Sequence, residues 1–138
     1  MIALSRSYRF AAAHVLCQPS LSDADNERIY GKCANPHGHG HNYGLEVSVT
    51  GPVNPDTGWI IEPERLDEVV RRRVLERFDQ QMLNEDSLFQ GLVPTAENIA
   101  VMVHEQLESP LRDQEGVRLL RVRVVETSRN HFDCGEMG

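Results

Sequence analysis

The sequence predicts one α+β domain, in which an antiparallel sheet is covered by two helices on one face. Three segments show the alternation of side chains expected of strands, at residues 2–14, 39–51 and 117–127. Two others, from Pro63 to Phe78 and from Pro94 onward, carry apolar residues at helical spacing. The order strand, strand, helix, helix, strand, with charged residues alternating along the strands, favours this antiparallel arrangement.

The first half of the chain predicts two long strands separated by a long loop. In the first strand, residues of one parity are apolar or aromatic and end at His14: Leu4, Tyr8, Phe10 and Ala12. Residues 15–36 are polar and rich in turn formers, and loops of this length are usually functional. The second strand again has one apolar parity, which includes Tyr43, Leu45, Val47 and Val49. The segment NPDTG at 54–58 predicts a turn.

The second half predicts two helices and a last strand. Pro63 suits the first turn of a helix whose apolar stripe is Leu66, Val69, Val70, Val74 and Phe78. Thr95 is the expected N-cap of a second helix that buries Ile99, Met102, Val103 and Leu107. The expected core face of the last strand is Leu120, Val122 and Val124, and Glu126 continues that parity.

Composition limits the range of functions. The 138 residues suffice for one domain, residues 1–138, with its own hydrophobic core. The formal net charge of −7 argues against nucleic-acid binding, which needs a basic surface. The one basic run, Arg71 to Arg73, is flanked by Glu68 and Glu76 at helical spacing and is expected to be a solvated helix face.

The cysteines and the N-terminal segment predict a cytoplasmic protein. The chain has an odd number of cysteines at irregular spacing, namely Cys17, Cys33 and Cys134. This pattern suits a protein of a reducing compartment better than a disulfide framework. The segment MIALSRSYRF has no sustained apolar core, so we do not expect a signal peptide. No apolar run approaches the roughly 20 residues that a membrane-spanning helix needs.

Three histidines alternating with glycines predict a metal site. His37, His39 and His41 share one parity, so any two of them deliver imidazoles to one face of a strand. His14, at the end of the first strand, joins them if the two strands pair as a hairpin. Three histidine nitrogens leave Zn²⁺ with an open position, which is the catalytic arrangement. Spacing alone leaves open which two of the three bind.

Other polar residues are candidates for the same site. The Cys33 thiol becomes a candidate base or nucleophile if a cation lies near it, since positive charge favours the thiolate. Glu126 is a carboxylate where the pattern predicts burial, and Thr127 next to it supports a pocket that grips N–H groups. Taken alone, Glu97 is interpreted as an acidic residue in the first turn of the second helix, where the helix dipole favours negative charge. Asp79 alone is interpreted as a loop residue just beyond the first helix.

At these residues the chain resembles the 6-pyruvoyl-tetrahydropterin synthase family, including its 6-carboxy-tetrahydropterin synthase members. The resemblance runs nearly end to end, and its long 15–36 loop is closer to the pyruvoyl type than to the queuosine-pathway type. It rests on several separately spaced motifs in the right order: FAAAH at 10–14, PSLSDADNERIYGKCANPHGHGHNYGLEV at 19–47, NPDTGWIIEPERLDEVV at 54–70, FDQQMLN at 78–84, PTAENIAVMV at 94–103 and VRVVET at 122–127.

The resemblance implies a tunnelling fold (T-fold) with a four-stranded antiparallel sheet and two helices, assembled as a trimeric barrel in a homotrimer or homohexamer. It implies a zinc-dependent lyase acting on 7,8-dihydroneopterin triphosphate, with loss of triphosphate, to give a 6-pyruvoyl- or 6-carboxy-tetrahydropterin. The implied zinc ligands are His14, His39 and His41, and His37 falls at a non-ligand position. Cys33 matches the catalytic thiol, Asp79 matches the acid of the family's Asp–His pair, and Glu126 matches the carboxylate that anchors the pterin ring. Thr95 and Glu97 match neighbours of that pocket.

One position departs from the family pattern. Gln80 follows Asp79 where the family has a histidine that works with the cysteine as acid and base, and glutamine does not titrate near neutral pH. Asp79 acting directly on Cys33, or His37 or His131 standing in, are the compensations left open. The alternative function is a weakly active or non-catalytic pterin-binding paralogue. A structural zinc module is disfavoured, because three histidines leave a ligand position open.

Overall fold

The first two strands form one long hairpin, which places the histidines side by side. The structure is a computed structural model that describes residues 1–114 and 116–137. Strand β1 (Ala3–His14) pairs antiparallel with β2 (His39–Thr50) along its full length, so His14 faces His39 and Ala12 faces His41. The same register stacks Phe10 on Tyr43, with ring centroids 5.1 Å apart.

In the part of the chain that the structure describes, the sheet has five strands in the order β3-β1-β2-β4-β5, so the expectation of four was wrong. Strand β4 (Arg118–Thr127) pairs antiparallel with β2, and β5 (Asn130–Gly135) with β4. Strand β3 (Gln81–Met82) pairs parallel with β1. Two residues are too few to show an alternating pattern, and β5 lies at a sheet edge where its side chains are exposed or half-buried, so neither strand has a sequence signal.

The 15–36 segment is less irregular than its composition predicts. It contains helix α1 (Asp23–Tyr30) and a 3₁₀ turn (Gly31–Ala34). The Ser22 side chain caps α1 by accepting a hydrogen bond from the Asp25 N–H at 3.1 Å. Only Asn26 of this helix is buried, so the helix has no apolar stripe that periodicity could reveal.

Two further helices cover one face of the sheet. Helix α2 (Pro63–Val70) continues through a π-helical turn (Arg71–Leu75) into α3 (Glu76–Phe78), which matches the predicted helix 63–78. Helix α4 (Ala96–Arg112) begins after the Thr95 N-cap, whose hydroxyl accepts from the Asn98 N–H at 3.2 Å. Within the described residues, no helix is long and apolar enough to cross a membrane.

The core lies between these helices and one face of the sheet. Apolar side chains from the sheet and the helices meet there without solvent exposure: Val47, Val49, Val122, Val124, Leu66, Val70, Val74, Phe78, Ile99, Val103 and Leu107. At the end of β1 this buried face continues into His14, which is also fully buried. The histidine cluster that includes His14 therefore lies at the edge of the hydrophobic core.

Candidate active site

Three histidine rings from the β1–β2 hairpin form one cluster. Ring centroids lie 4.9 Å apart for His14 and His41, 4.5 Å for His39 and His41, and 6.4 Å for His14 and His39. His37 lies in the turn before β2 and is exposed. Its backbone N–H donates to the Asn35 side chain at 3.0 Å.

Two ring nitrogens of the cluster lack the partners that buried polar atoms need. Among the described residues, His14 Nε2 and His41 Nε2 are buried without a hydrogen-bond partner. An unpaired buried nitrogen costs about 1–3 kcal/mol, so two of them in one cluster call for a ligand. Imidazole nitrogens are common ligands of zinc, and the residues present therefore fit a bound metal ion.

The Cys33 thiol lies close to the same two histidines. The donor atoms of His14, Cys33 and His41 all lie within 4.8 Å of one another. Cys33 belongs to the 3₁₀ turn, and its carbonyl accepts from the Leu16 N–H at 2.6 Å, which ties this turn to the chain just beyond β1. The structure thus brings together three imidazoles and a thiol that are separated by 27 residues of sequence at most.

Burial sets the protonation of these groups. It lowers the pKa of His14 and of His41, and this favours the neutral imidazoles that ligate metals. Burial, together with the negative charge of Glu126, raises the pKa of the Cys33 thiol. The thiol is therefore protonated at neutral pH unless a cation lies beside it.

Glu126 lies near the cluster, at the end of β4. Its charge acts on His14, His41, Cys33 and Tyr43, and the side chain is half-buried. Tyr43, buried beneath the histidines, is a member of the site that the sequence analysis placed only in the core. Tyr43 shares the parity of His39 and His41 in the second strand, and this pattern could have placed it in the site.

Of the other predicted pocket residues, Thr95 and Thr127 have structural partners. Thr127 is exposed and donates to the Asn130 side chain in the β4–β5 turn. Thr95 caps α4, and Glu97 is exposed in the first turn of that helix. The Pro94 carbonyl, which sequence reasoning missed, contacts His14 Nδ1 at 2.9 Å.

Asp79 and Gln80 lie beside β1, on the side away from β2. Asp79 Oδ1 accepts from the Ala11 N–H at 2.9 Å, and the Gln80 N–H donates to the Ala11 carbonyl at 2.6 Å. Gln80 has φ of 63°, in the left-handed region that non-glycine residues rarely occupy. Asp79 is not part of the group formed by His14, Cys33 and His41.

A cavity of about 940 Å³ opens beside His39. The 15–36 segment supplies most of its walls, and His39 lines it from the sheet. This volume suits a small-molecule ligand. The fold and the site together define an α+β protein with a candidate metal-dependent active site at the end of its first hairpin.

Comparison with known proteins gives the family. The model of the family "6-pyruvoyl tetrahydropterin synthase" matches residues 3–136, and the chain belongs to this family. It is 38% identical to the 6-pyruvoyl tetrahydrobiopterin synthases of Drosophila melanogaster and of Homo sapiens over 128 residues, 92% of this chain and 75% and 86% of theirs. A putative 6-carboxy-5,6,7,8-tetrahydropterin synthase of Archaeoglobus fulgidus is 33% identical over 78% of this chain and 82% of its own.

A solved structure has the same fold. The 6-pyruvoyl tetrahydropterin synthase of Caenorhabditis elegans superposes with a TM-score of 0.89 at 34% identity, covering 99% of this chain and 96% of that one. The expected family resemblance is confirmed by these matches.

Proposed function

We propose that this protein is a zinc-dependent lyase that acts on 7,8-dihydroneopterin triphosphate and eliminates triphosphate. The observation that carries the proposal is the cluster of His14, His39 and His41 against Cys33, in a member of this family. Two buried nitrogens of this cluster have no hydrogen-bond partner among the residues that the structure describes. The relatives named above as pterin synthases support the substrate class.

The three histidines are the proposed zinc ligands. A zinc ion held there would polarise oxygens of the substrate side chain and favour the thiolate form of Cys33. Cys33 is close enough to be a ligand itself, since its donor atom lies within 4.8 Å of those of His14 and His41. We assign the third position to His39, whose ring is 4.5 Å from His41, because this leaves the thiol free for proton transfer.

Cys33 is the proposed base. Its thiolate accepts a proton from a carbon of the substrate side chain, and the electrons of that C–H bond form a double bond as triphosphate leaves with its C–O electron pair. The Glu126 carboxylate is proposed to hold the N–H edge of the pterin, which keeps the side chain beside Cys33. Thr95, Glu97 and Thr127 are proposed as neighbours of this anchor.

Asp79 is proposed as an acid–base partner of Cys33, although its Oδ1 is engaged by the Ala11 N–H in this chain. The assembly proposed for the protein is a homotrimer or homohexamer of the tunnelling fold. Turnover of an Asp79→Asn variant tests the first of these proposals. The mass of the assembled protein in solution tests the second.

Gln80 is the specific observation that favours a second function. It stands where the family pattern has a histidine. Its backbone is left-handed, at φ of 63°, and its N–H is bonded to the Ala11 carbonyl of β1. A weakly active or non-catalytic pterin-binding paralogue would retain zinc and pterin binding without turnover. Under the lyase proposal, turnover must be measurable.

Product identification tests the proposal. The protein loaded with zinc is incubated with 7,8-dihydroneopterin triphosphate, and the pterins and released triphosphate are measured by mass spectrometry. We expect stoichiometric triphosphate and a 6-pyruvoyl- or 6-carboxy-tetrahydropterin. Cys33→Ala should abolish both, and the matched variant Cys134→Ala, at another half-buried cysteine in the edge strand β5, should not. Pterin binding without triphosphate release would favour the paralogue instead.

A further inference from the structure

One hydrogen bond fixes the orientation of the most buried histidine of the cluster. His14 is fully buried, and its Nδ1 lies 2.9 Å from the Pro94 carbonyl oxygen. A carbonyl only accepts, so Nδ1 must carry the proton, and in a neutral imidazole Nε2 is then the atom with the free lone pair. The Tyr43 hydroxyl, 3.4 Å from the same nitrogen, is the more distant neighbour.

The chain on the His14 side of this bond is held by Asn84. Its side-chain amide donates to the Val15 carbonyl at 2.9 Å and its Oδ1 accepts from the Val15 N–H at 2.7 Å. Val15 lies one residue beyond the end of β1. The Asn84 amide therefore takes the place of a strand partner for the residue that follows His14.

The chain on the Pro94 side is held by Asn98. Its side chain donates to the Val93 carbonyl at 2.8 Å, and that carbonyl also accepts from the Thr95 N–H at 2.8 Å. The Asn98 N–H meanwhile donates to the Thr95 hydroxyl at 3.2 Å. Pro94 has no N–H, so the direction of its carbonyl is set by these bonds to the residues on either side of it.

We propose that Asn84 and Asn98 are positioning residues for the metal site. Each holds the peptide next to one end of the His14–Pro94 hydrogen bond, and together they keep the Nε2 lone pair of His14 aimed into the cluster. Partners that orient a ligating histidine typically contribute 10- to 100-fold to metal affinity. The inference concerns the proposed zinc site and rests on the proposed function.

Zinc affinity measured with a competing chromophoric chelator tests the inference. We expect Asn84→Ala and Asn98→Ala each to weaken zinc binding by about 10-fold, the lower end of that range, because neither asparagine bonds His14 directly. Because both act through one hydrogen bond, the double variant should lose less than the product of the two single losses. Substitution of Co²⁺ adds a second readout, since a loosened His14 changes the visible absorption of the bound ion.

Asn26 provides the matched control. Like Asn98 it is an asparagine of a helix whose side chain bonds backbone groups. Its side-chain hydrogen bonds go to Gln18, Leu21 and Ser22, and not to Val15 or Val93. Asn26→Ala should lower thermal stability without changing the Co²⁺ spectrum. Equal losses of zinc affinity in all three variants would show a general effect of destabilisation and overturn the inference.

The tautomer of His14 separates this inference from the proposed function. Long-range ¹H–¹⁵N spectra of the metal-free protein should show His14 protonated on Nδ1 in the wild type and mixed tautomers in the two variants. A wild-type protein that shows this tautomer but binds no zinc contradicts the proposed function alone. Wild-type zinc binding with unchanged affinity and tautomer in both variants contradicts the positioning role alone.

Discussion

His14 and His41 approach each other from neighbouring strands, with ring centroids 4.9 Å apart and a buried, unpartnered Nε2 on each among the described residues. The hairpin register makes this possible, because it sets His41 opposite Ala12, one side-chain pair away from His14 on the same face. A small side chain at Ala12 leaves the two rings room to converge.

This relationship predicts the metal content of variants. The purified wild-type protein should contain about one zinc per chain, and His14→Ala or His41→Ala should remove it, because each takes away a ligand that the remaining groups do not replace. The control is His37→Ala, since His37 is exposed in the turn before β2 and should be dispensable. Elemental analysis measures all four proteins.

The third ligand is tested in the same way. His39→Ala should strip the metal, whereas Cys33→Ala should retain it. Metal that survives His39→Ala but leaves with Cys33→Ala would show that the thiol, not His39, completes the site.

Glu126 should govern pterin affinity. Glu126→Gln keeps the shape of the side chain but loses charge-assisted hydrogen bonds worth about 1.5–3 kcal/mol in total, so the Kd for a dihydropterin should rise by about 10- to 150-fold. Titration calorimetry measures the Kd, and thermal unfolding should change little. Glu46→Gln is the matched control, because Glu46 is also a half-buried strand carboxylate but faces Arg121, at 4.0 Å. Equal affinity of Glu126→Gln and wild type would remove the anchor assignment.

Asp86 should make stability depend on pH in the acid range. Burial alone raises the pKa of this carboxyl, but hydrogen bonds from Arg77 and the Leu88 N–H outweigh it and hold the pKa below the ordinary aspartate value. A depressed pKa contributes stability that is fully present above the unfolded-state pKa of about 3.9 and is lost as pH falls through the folded-state value.

Asp86→Asn should therefore lower the free energy of unfolding by about 1–2 kcal/mol at pH 7, a figure reduced for the partial exposure of Arg77. The difference from wild type should shrink toward zero as pH falls below 3. Urea unfolding at several pH values measures it, with the exposed Asp56→Asn as control. A difference that does not vary with pH would contradict the ionic origin of the effect.

The sequence predicted the ligand face better than the surroundings of the site. Parity grouped His14 with the apolar face of the first strand, His39 and His41 on one face of the second, and Glu126 with the apolar face of the last, because the two-residue period within a strand needs no tertiary information. The pairing that joins the first two of these faces was a condition of the prediction, and the register of β1 and β2 meets it. The position of Cys33 depends on a 3₁₀ turn inside a segment that reads as loop, and the Pro94 carbonyl is a backbone group that no side-chain pattern reveals. Strand β3 exists through its pairing with β1, so its two residues carry no local signal.

Gln80 is the position at which the resemblance and the residue disagree. If glutamine only removes an acid–base group, Gln80→His should raise turnover on 7,8-dihydroneopterin triphosphate, since a positioned histidine contributes about 100- to 10,000-fold. If the glutamine marks a different reaction, the same variant should change the ratio of pyruvoyl to carboxy products. Steady-state rates and mass spectrometry of the products distinguish the two results.

The backbone at position 80 supplies the control for that experiment. Because Gln80 is left-handed at φ of 63°, Gln80→Gly relieves backbone strain and removes the side chain, and it should raise stability without raising turnover. We expect Gln80→His to increase the rate with the products unchanged, because Cys33 and Asp79 both match the family pattern.

Cys33→Ala should abolish turnover in the wild-type and the Gln80→His backgrounds alike, since the proton from the substrate carbon then has no acceptor. Full activity without Cys33 would exclude the thiolate as the base and leave Asp79, His37 and His131 as the candidates.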